Sequence, residues 1–332
     1  MNHSKSPSRR VDVVILGELL LDLFPMTVGV PLRNAGGFTM HLGGAPANVA
    51  VALARLGHTA ALQSAIGEDE FGAFLFEGLA KEGVIVGAIR VADGTKTPLT
   101  FVGIDADGER SFHSLRGHTA DRCFNSDSLD LEMIGTGAIF HFGSNFMTTA
   151  SNREATDRAI AQARKAGALV SFDPNLRPQL WDDPERGVTI VRETLDRVDL
   201  LKVSAEESEQ ISGTAEYREA WETRYRPAGV QAAFITDGPQ GATVLTADHV
   251  LSVPAPKIQA VDTTGAGDAF FGTALGGICE WLNIRGEASP REVLANRSVT
   301  DWEALLVSAN AAAGAVCTEL GATTALPRRE RQ

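Results

Sequence analysis

Apolar positions along the chain alternate between two spacings. Short β-branched and aliphatic runs at 11–16, 60–66, 138–142, 168–172, 198–203 and 232–236 read as strands buried on both faces. Between them the period lengthens: Val49, Ala52, Leu53 and Leu56, then Phe71, Phe74, Leu75 and Leu79, fall at helical spacing. Strands alternating with helices predict an α/β fold whose mostly parallel sheet is covered on both faces. Ligands in such sheets gather at the carboxyl ends of the strands.

Two stretches break the alternation. Residues 26–42 are Gly-rich and lack a helical period, while 98–104 and 110–115 are β-like runs joined by the turn signal Asp105-Ala106-Asp107-Gly108. Together, about 26–42 and 97–117 fit a small β appendage over the strand ends, either a lid over a cleft or an edge hairpin. Segments 174–185 and 286–299 read as polar loops, with a helix beginning at Asp301. Residues 1–10 and 328–332 are expected to be mobile tails around a single domain of 11–327.

Of the 332 residues, 44% are hydrophobic, enough for a large core. A formal charge of −12 without a dense basic run argues against a nucleic-acid partner. The apolar stretch 11–24 after the basic 1–10 imitates a secretion signal, but Asp12, Glu18 and Asp22 interrupt it. No uninterrupted apolar segment is long enough to cross a bilayer, so no membrane role is expected. Cys123, Cys279 and Cys317 are too widely spaced for a metal site and suit a cytoplasmic protein. The histidines show no metal spacing and a G-x-S-x-G elbow is missing, so metalloenzyme and hydrolase chemistry recede.

The most informative stretch is 261–268, followed by an apolar run, 269–282, suited to a core helix. Gly265, Ala266 and Gly267 lack bulk, so backbone N–H groups at a helix start can approach an anion, with the helix dipole adding to the attraction. Asp268, just inside that start, is expected to stay ionised near neutral pH and to take a proton from an attacking hydroxyl. Phosphoryl transfer asks mainly for positioning and charge stabilisation, so a weak carboxylate base suffices. An ordinary N-terminal Asp beside small packing residues would look the same. No Walker lysine run or G-x-G-x-x-G occurs.

Asp262-Thr263-Thr264-Gly265-Ala266-Gly267-Asp268 matches the D-T-x-G-A-G-D signature of the ribokinase-like (PfkB-type) sugar kinases. Their second signature is matched by Gly43-Gly44-Ala45-Pro46-Ala47-Asn48-Val49-Ala50, with Leu56-Gly57 and Gly67 following in order. The chain resembles that family over 11–327. The resemblance implies a three-layer α/β/α sandwich with a small β-sheet lid, ATP and Mg2+ as cofactors, and a small sugar as acceptor. It makes Asp268 the catalytic base and 265–267 the anion hole, and assigns sugar contacts to Gly43, Gly44 and Asn48.

Gly17-Glu18-Leu19-Leu20-Leu21-Asp22 is similar to the G-E-x-x-x-D start of fructokinases, which makes Asp22 a sugar-hydroxyl acceptor. Asp173-Pro174-Asn175-Leu176-Arg177 is similar to the same branch's D-P-N-x-R, placing Arg177 on phosphate charge. Arg116, with Asp121 after it, resembles the segment that brings an Arg from the lid to the sugar, and Phe101 is either a lid contact to the substrate or simple core. For the nucleotide, Glu207 matches the acid that organises Mg2+ through water, while Ser204 stands where the family usually has Asn. Thr236, Gly238 and Gly241 resemble the T-x-G-x-x-G loop near the ATP phosphates, and Asn310 the adenine helix. Asp262 and Thr264, with the backbone of 316–321, are the implied holders of a monovalent cation such as K+.

D-fructose is the acceptor the resemblance favours, and a homodimer through the β lid is compatible with it. A 2-keto-3-deoxygluconate kinase is the nearest rival, since 175–181 has its N-x-R-P-x-L-W run. Phe142-Gly143-Ser144 lacks the acid that a ribokinase often has after that strand. Another sugar or nucleoside kinase, and a catalytically silent sugar-binding regulator on the same fold, complete the alternatives.

Overall fold

Val13 and Ile15 pack into one hydrophobic cluster, Val14 and Leu16 into another, so the first strand alone places a helical layer on each face of its sheet. The structure, a computed structural model, describes residues 11–104, 110–284 and 288–329. Its strands are β1 (Val11–Leu16), β2 (Leu20–Pro25), β3 (Phe38–Gly43), β4 (Ala60–Gly67), β5 (Ile85–Ala92), β6 (Leu99–Ile104), β7 (Arg110–Leu115), β8 (Gly137–Gly143), β9 (Leu169–Asp173), β10 (Leu200–Ser204), β11 (Ala232–Thr236), β12 (Ala242–Thr246) and β13 (Val250–Val253). The helices are α1 (Ala45–Arg55), α2 (Glu70–Lys81), α3 (Leu131–Thr136), α4 (Ala150–Lys165), α5 (Pro184–Thr194), α6 (Ala205–Ser212), α7 (Tyr217–Ala220), α8 (Arg226–Ala228), α9 (Ala266–Ile284), α10 (Pro290–Ala295) and α11 (Val299–Val316).

The main sheet runs β13-β12-β11-β10-β9-β8-β1-β4-β5, parallel from β5 to β11 with β12 and β13 antiparallel at one edge. After β1 the chain builds outward through β4 and β5, then returns to β8 on the other side of β1. That reversal leaves a crevice at the carboxyl end of β1, the topological switch point at which open α/β sheets bind ligands. Helix α9 is apolar along its length, and it lies against both α1 and α11 in the layer that buries Leu275, Ile278 and Leu282. In α2, Leu75 and Leu79 are buried whereas Phe71 and Phe74 are exposed.

A second sheet, in the order β3-β2-β6-β7, forms the appendage. Its composition corrects the expected boundaries: β2 is one of its two central strands, and 26–37 holds only a 3-10 turn at Leu32–Asn34. The run Leu20–Pro25 is buried at every position, so no polar alternation separates it from the preceding strand. The expected turn at 105–108 lies outside the described residues, as do 1–10 and 330–332. Arg328 and Arg329 are not loose: Arg329 N donates to Arg55 O at 2.8 Å, and Arg328 pairs with Glu82 at 2.8 Å. Likewise α11 begins at Val299, because Ser298 caps it and Asp301 completes the capping box. Among the described residues no helix is long and apolar enough to cross a membrane.

Candidate active site

A cleft of about 1100 Å³ opens at the carboxyl ends of the parallel strands, with the small sheet along one side. Asp22, Gly44, Asn48, Arg116, Arg177, Ser204, Glu207, Thr236, Thr264, Gly265, Gly267 and Asp268 all line it, although they come from widely separated segments. Sequence patterns thus converge on one crevice.

Asp268 lies in the first turn of α9, and Asn48, in the first turns of α1, donates Nδ2 to its Oδ2 at 2.8 Å. Burial pushes its pKa up to about 6, with Asp173 adding to the rise and Asn48, Lys202 and Arg177 opposing it. Desolvation thus raises this acid above the ordinary carboxylate range, yet leaves it mostly ionised near neutral pH. The result is a base poised near neutral pH, where general-base catalysis is most effective.

The sugar end of the cleft is acidic. Burial, reinforced by Asp268 and Asp262, lifts Asp22 to about 8, and burial lifts Glu18 to about 7 against the pull of Arg116. Gly43 packs against Asp22 rather than facing the cleft: a Cβ there would lie 2.4 Å from Asp22 Oδ2. Gly44, at the N-cap of α1, has φ +99°, and a Cβ would strike the Glu18 carbonyl at 2.4 Å, so only glycine fits. Arg116 donates Nε to Asp121 Oδ2 at 3.0 Å, and its Nη2 reaches the same oxygen and the Asn145 carbonyl. Phe101 is not on the cleft. Thr100 and Ser114 face it and are joined through their hydroxyls at 3.0 Å, so strand alternation turns Phe101 away, edge-on to Phe38 at 5.1 Å.

At the phosphate end, Gly265 has φ +79°, and a Cβ would meet that of Ala322 at 2.5 Å. Gly267 and Asp268, as early residues of α9, carry N–H groups without an intrahelical partner. Ala266 does not belong to this cradle: its N–H turns back to the Thr263 carbonyl at 3.2 Å, and the residue is off the cleft. Sequence reading gave Lys202 no role. It is buried on the cleft, 2.9 Å from Asp173, and a Cβ on Gly267 would lie 2.7 Å from its Nζ. Burial alone would lower its pKa, but Asp173, Glu207 and Asp268 raise it above the ordinary value, so the ammonium is retained. A lysine inside a buried parallel strand was the available signal. Arg177 follows Asn175, whose φ of +42° brings the chain round sharply; Asp173 Oδ1 accepts from Asn175 N at 3.1 Å.

Glu207 has a more definite task than expected. Its Oε1 accepts from Leu176 N at 2.5 Å and its Oε2 from Ser204 N at 2.8 Å, so it clamps the Arg177 loop to the start of α6. Ser204 Oγ in turn accepts from Glu207 N, completing a capping box; the serine is an N-cap here. Gly238 and Gly241 sit off the cleft in the turn between β11 and β12, where Gly241 N donates to Gly238 O at 3.1 Å. Asn310 is also off it: buried, it donates Nδ2 to the Val253 carbonyl at 2.9 Å and holds the end of β13. Asp262 is buried and accepts from Thr264 N and Gly321 N, each at 2.8 Å, which brings the 316–321 segment to the signature loop. Among the described residues, no cluster of three or more His, Cys, Asp or Glu could hold a metal ion by itself.

Comparison with known proteins places these positions in context. The family model described as pfkB family carbohydrate kinase matches residues 10–329. Fructokinase-1 of Zea mays is 38% identical over 318 residues, covering 95% of this chain and 94% of that protein. Among solved structures, fructokinase with bound ATP from Xylella fastidiosa superposes with a TM-score of 0.82 at 33% identity, covering 95% of both chains. A double mutant of fructokinase from Vibrio cholerae, in a form with fructose, ADP and potassium ion bound, gives 0.82 at 29% identity over 97% of both.

Proposed function

This chain belongs to the pfkB family of carbohydrate kinases, and from that premise we propose that it is an ATP-dependent fructokinase. The observation that carries the reading is Asp268: a buried carboxylate near its titration point, held by Asn48, between an acid-lined pocket and a glycine cradle flanked by two cations.

In the reaction, Asp268 takes the proton of a primary sugar hydroxyl as that oxygen forms its bond to the γ-phosphorus. The bond from the γ-phosphorus to the bridging oxygen breaks, and ADP leaves. Gly265 and Gly267 offer backbone N–H groups to the transferring phosphoryl oxygens, while Lys202 and Arg177 supply positive charge. Thr236 and Ser204 mark the nucleotide side of the cleft. Mg2+, delivered with ATP, neutralises phosphate charge when bound, and Glu207 would reach it through water because both its oxygens already accept backbone bonds. A monovalent cation such as K+ fits beside Asp262, where Thr264 Oγ1 is buried without a hydrogen-bond partner.

A neutral sugar fits better than a sugar acid. Arg116, the cation expected to reach the sugar from the lid, is engaged by Asp121, and Glu18, Asp22 and Asp268 make this end of the cleft acidic. The intact Asp268 and glycine cradle speak for a working enzyme over a silent regulator. The test is kcat/KM for fructose, 2-keto-3-deoxygluconate, ribose and nucleosides with magnesium ATP. Fructose is expected to lead; another acceptor in first place, or sugar binding without turnover, would overturn the reading.

A further inference from the structure

Glu18 follows β1 and is 2% exposed, yet its Oε2 has no hydrogen-bond partner among the described residues. It lines the cleft beside Asp22 and Asn48. A buried carboxylate oxygen without a donor is costly, and such groups persist where something else supplies the donor. Arg116 does not supply it: that guanidinium favours the charged form of Glu18 through space but directs its hydrogen bonds to Asp121 and the Asn145 carbonyl. Asn48 Oδ1 and Asn145 Oδ1 are in the same state, buried without a partner on residues that line the same cleft. Three waiting acceptors in one crevice match the several donors of a polyhydroxylated ligand.

We propose that Glu18 determines sugar specificity: its Oε2 accepts a sugar hydroxyl other than the one Asp268 deprotonates, and its charge excludes sugars bearing a carboxylate. The assignment rests on the kinase reading above and names a contact within that site. Charge distribution supports the second half. Asp268 faces the same space, Arg116, the cation acting on Glu18, is engaged by Asp121, and Arg177 and Lys202 lie at the phosphate end, so a ligand carboxylate placed beside Glu18 would meet repulsion.

Two variants separate the two halves. Glu18→Ala removes the acceptor and is assayed on the preferred sugar and its singly deoxygenated analogues. The expected result is a KM for the parent sugar raised about 10- to 100-fold, with the KM for ATP changed less than about twofold. One analogue should then lose its penalty, being used as well as the parent sugar. Glu18→Gln keeps the shape and removes the charge. It should narrow the preference for neutral over acid sugar by about tenfold or more.

Retention of every analogue's penalty in Glu18→Ala, or an unchanged neutral-to-acid ratio in Glu18→Gln, would overturn the assignment. A purely structural role would instead lower kcat on all sugars together and raise the KM for ATP. Should Glu18→Ala fail to fold, the ratio in Glu18→Gln still decides. Turnover of fructose by the unaltered enzyme tests the functional reading separately, because the variant ratios are taken on whichever sugar that enzyme phosphorylates.

Discussion

Asn48 Nδ2 lies 2.8 Å from Asp268 Oδ2, a buried bond between residues 220 positions apart that joins the start of α1 to the start of α9. It couples the two sequence signatures into one device. Asn48 opposes the desolvation of Asp268, so it sets how readily that carboxylate ionises. Asn48→Ala should therefore move the acid limb of the kcat/KM profile to higher pH, with kcat/KM about tenfold lower or more at pH 7. An unmoved limb would separate Asn48 from the base.

Burial of Asp22 carries a cost that pH reveals. Its pKa rises from 3.8 to about 8, so between those values the folded protein holds a proton that the unfolded chain has lost. The contribution of this group to stability then falls as pH rises through that window. Asp22→Asn cannot ionise, so its Tm should exceed that of the wild type by a margin that widens from pH 5 to pH 8, while it binds sugar less tightly. An equal margin at both pH values would contradict this.

Lys202 and Asp173 form a buried pair at 2.9 Å on the cleft. Lys202→Met leaves Asp173 uncompensated, at a cost of about 3–5 kcal/mol. Denaturant unfolding measures that loss. The pH profile should shift as well, because Lys202 favours the ionised form of Asp268.

Gly265→Ala places a methyl group against Ala322 in a backbone region that only glycine enters easily. The N–H cradle must then shift, and kcat should fall about 100-fold with sugar affinity little changed. Turnover near wild type would remove Gly265 from the anion hole.

These relationships mark what local sequence could and could not convey. Strands β1 and β11 were legible to the residue, because short, mostly apolar runs bounded by polar or Gly residues have few other solutions. The small sheet was half legible: β6 and β7 matched their runs, but β2 is buried throughout and carries no alternation to announce it. In the site, contiguous motifs located Asp268, Asn48 and Asp22. Phe101 stayed open between substrate contact and core because its direction depends on strand phase; Asn310 was expected on the cleft but its amide is taken by a carbonyl 57 positions away, and a turn claims the N–H of Ala266. Lys202 and Glu18 acquire their roles only when burial and charged neighbours are brought together in space.

Replacing Asp268 with Asn tests the central claim most directly, since the side chain keeps its size and loses only the ability to accept a proton. With magnesium ATP and fructose, kcat should fall by about 10²- to 10⁴-fold while both KM values stay within a few-fold of wild type. Turnover close to wild type in Asp268→Asn would contradict its assignment as the base.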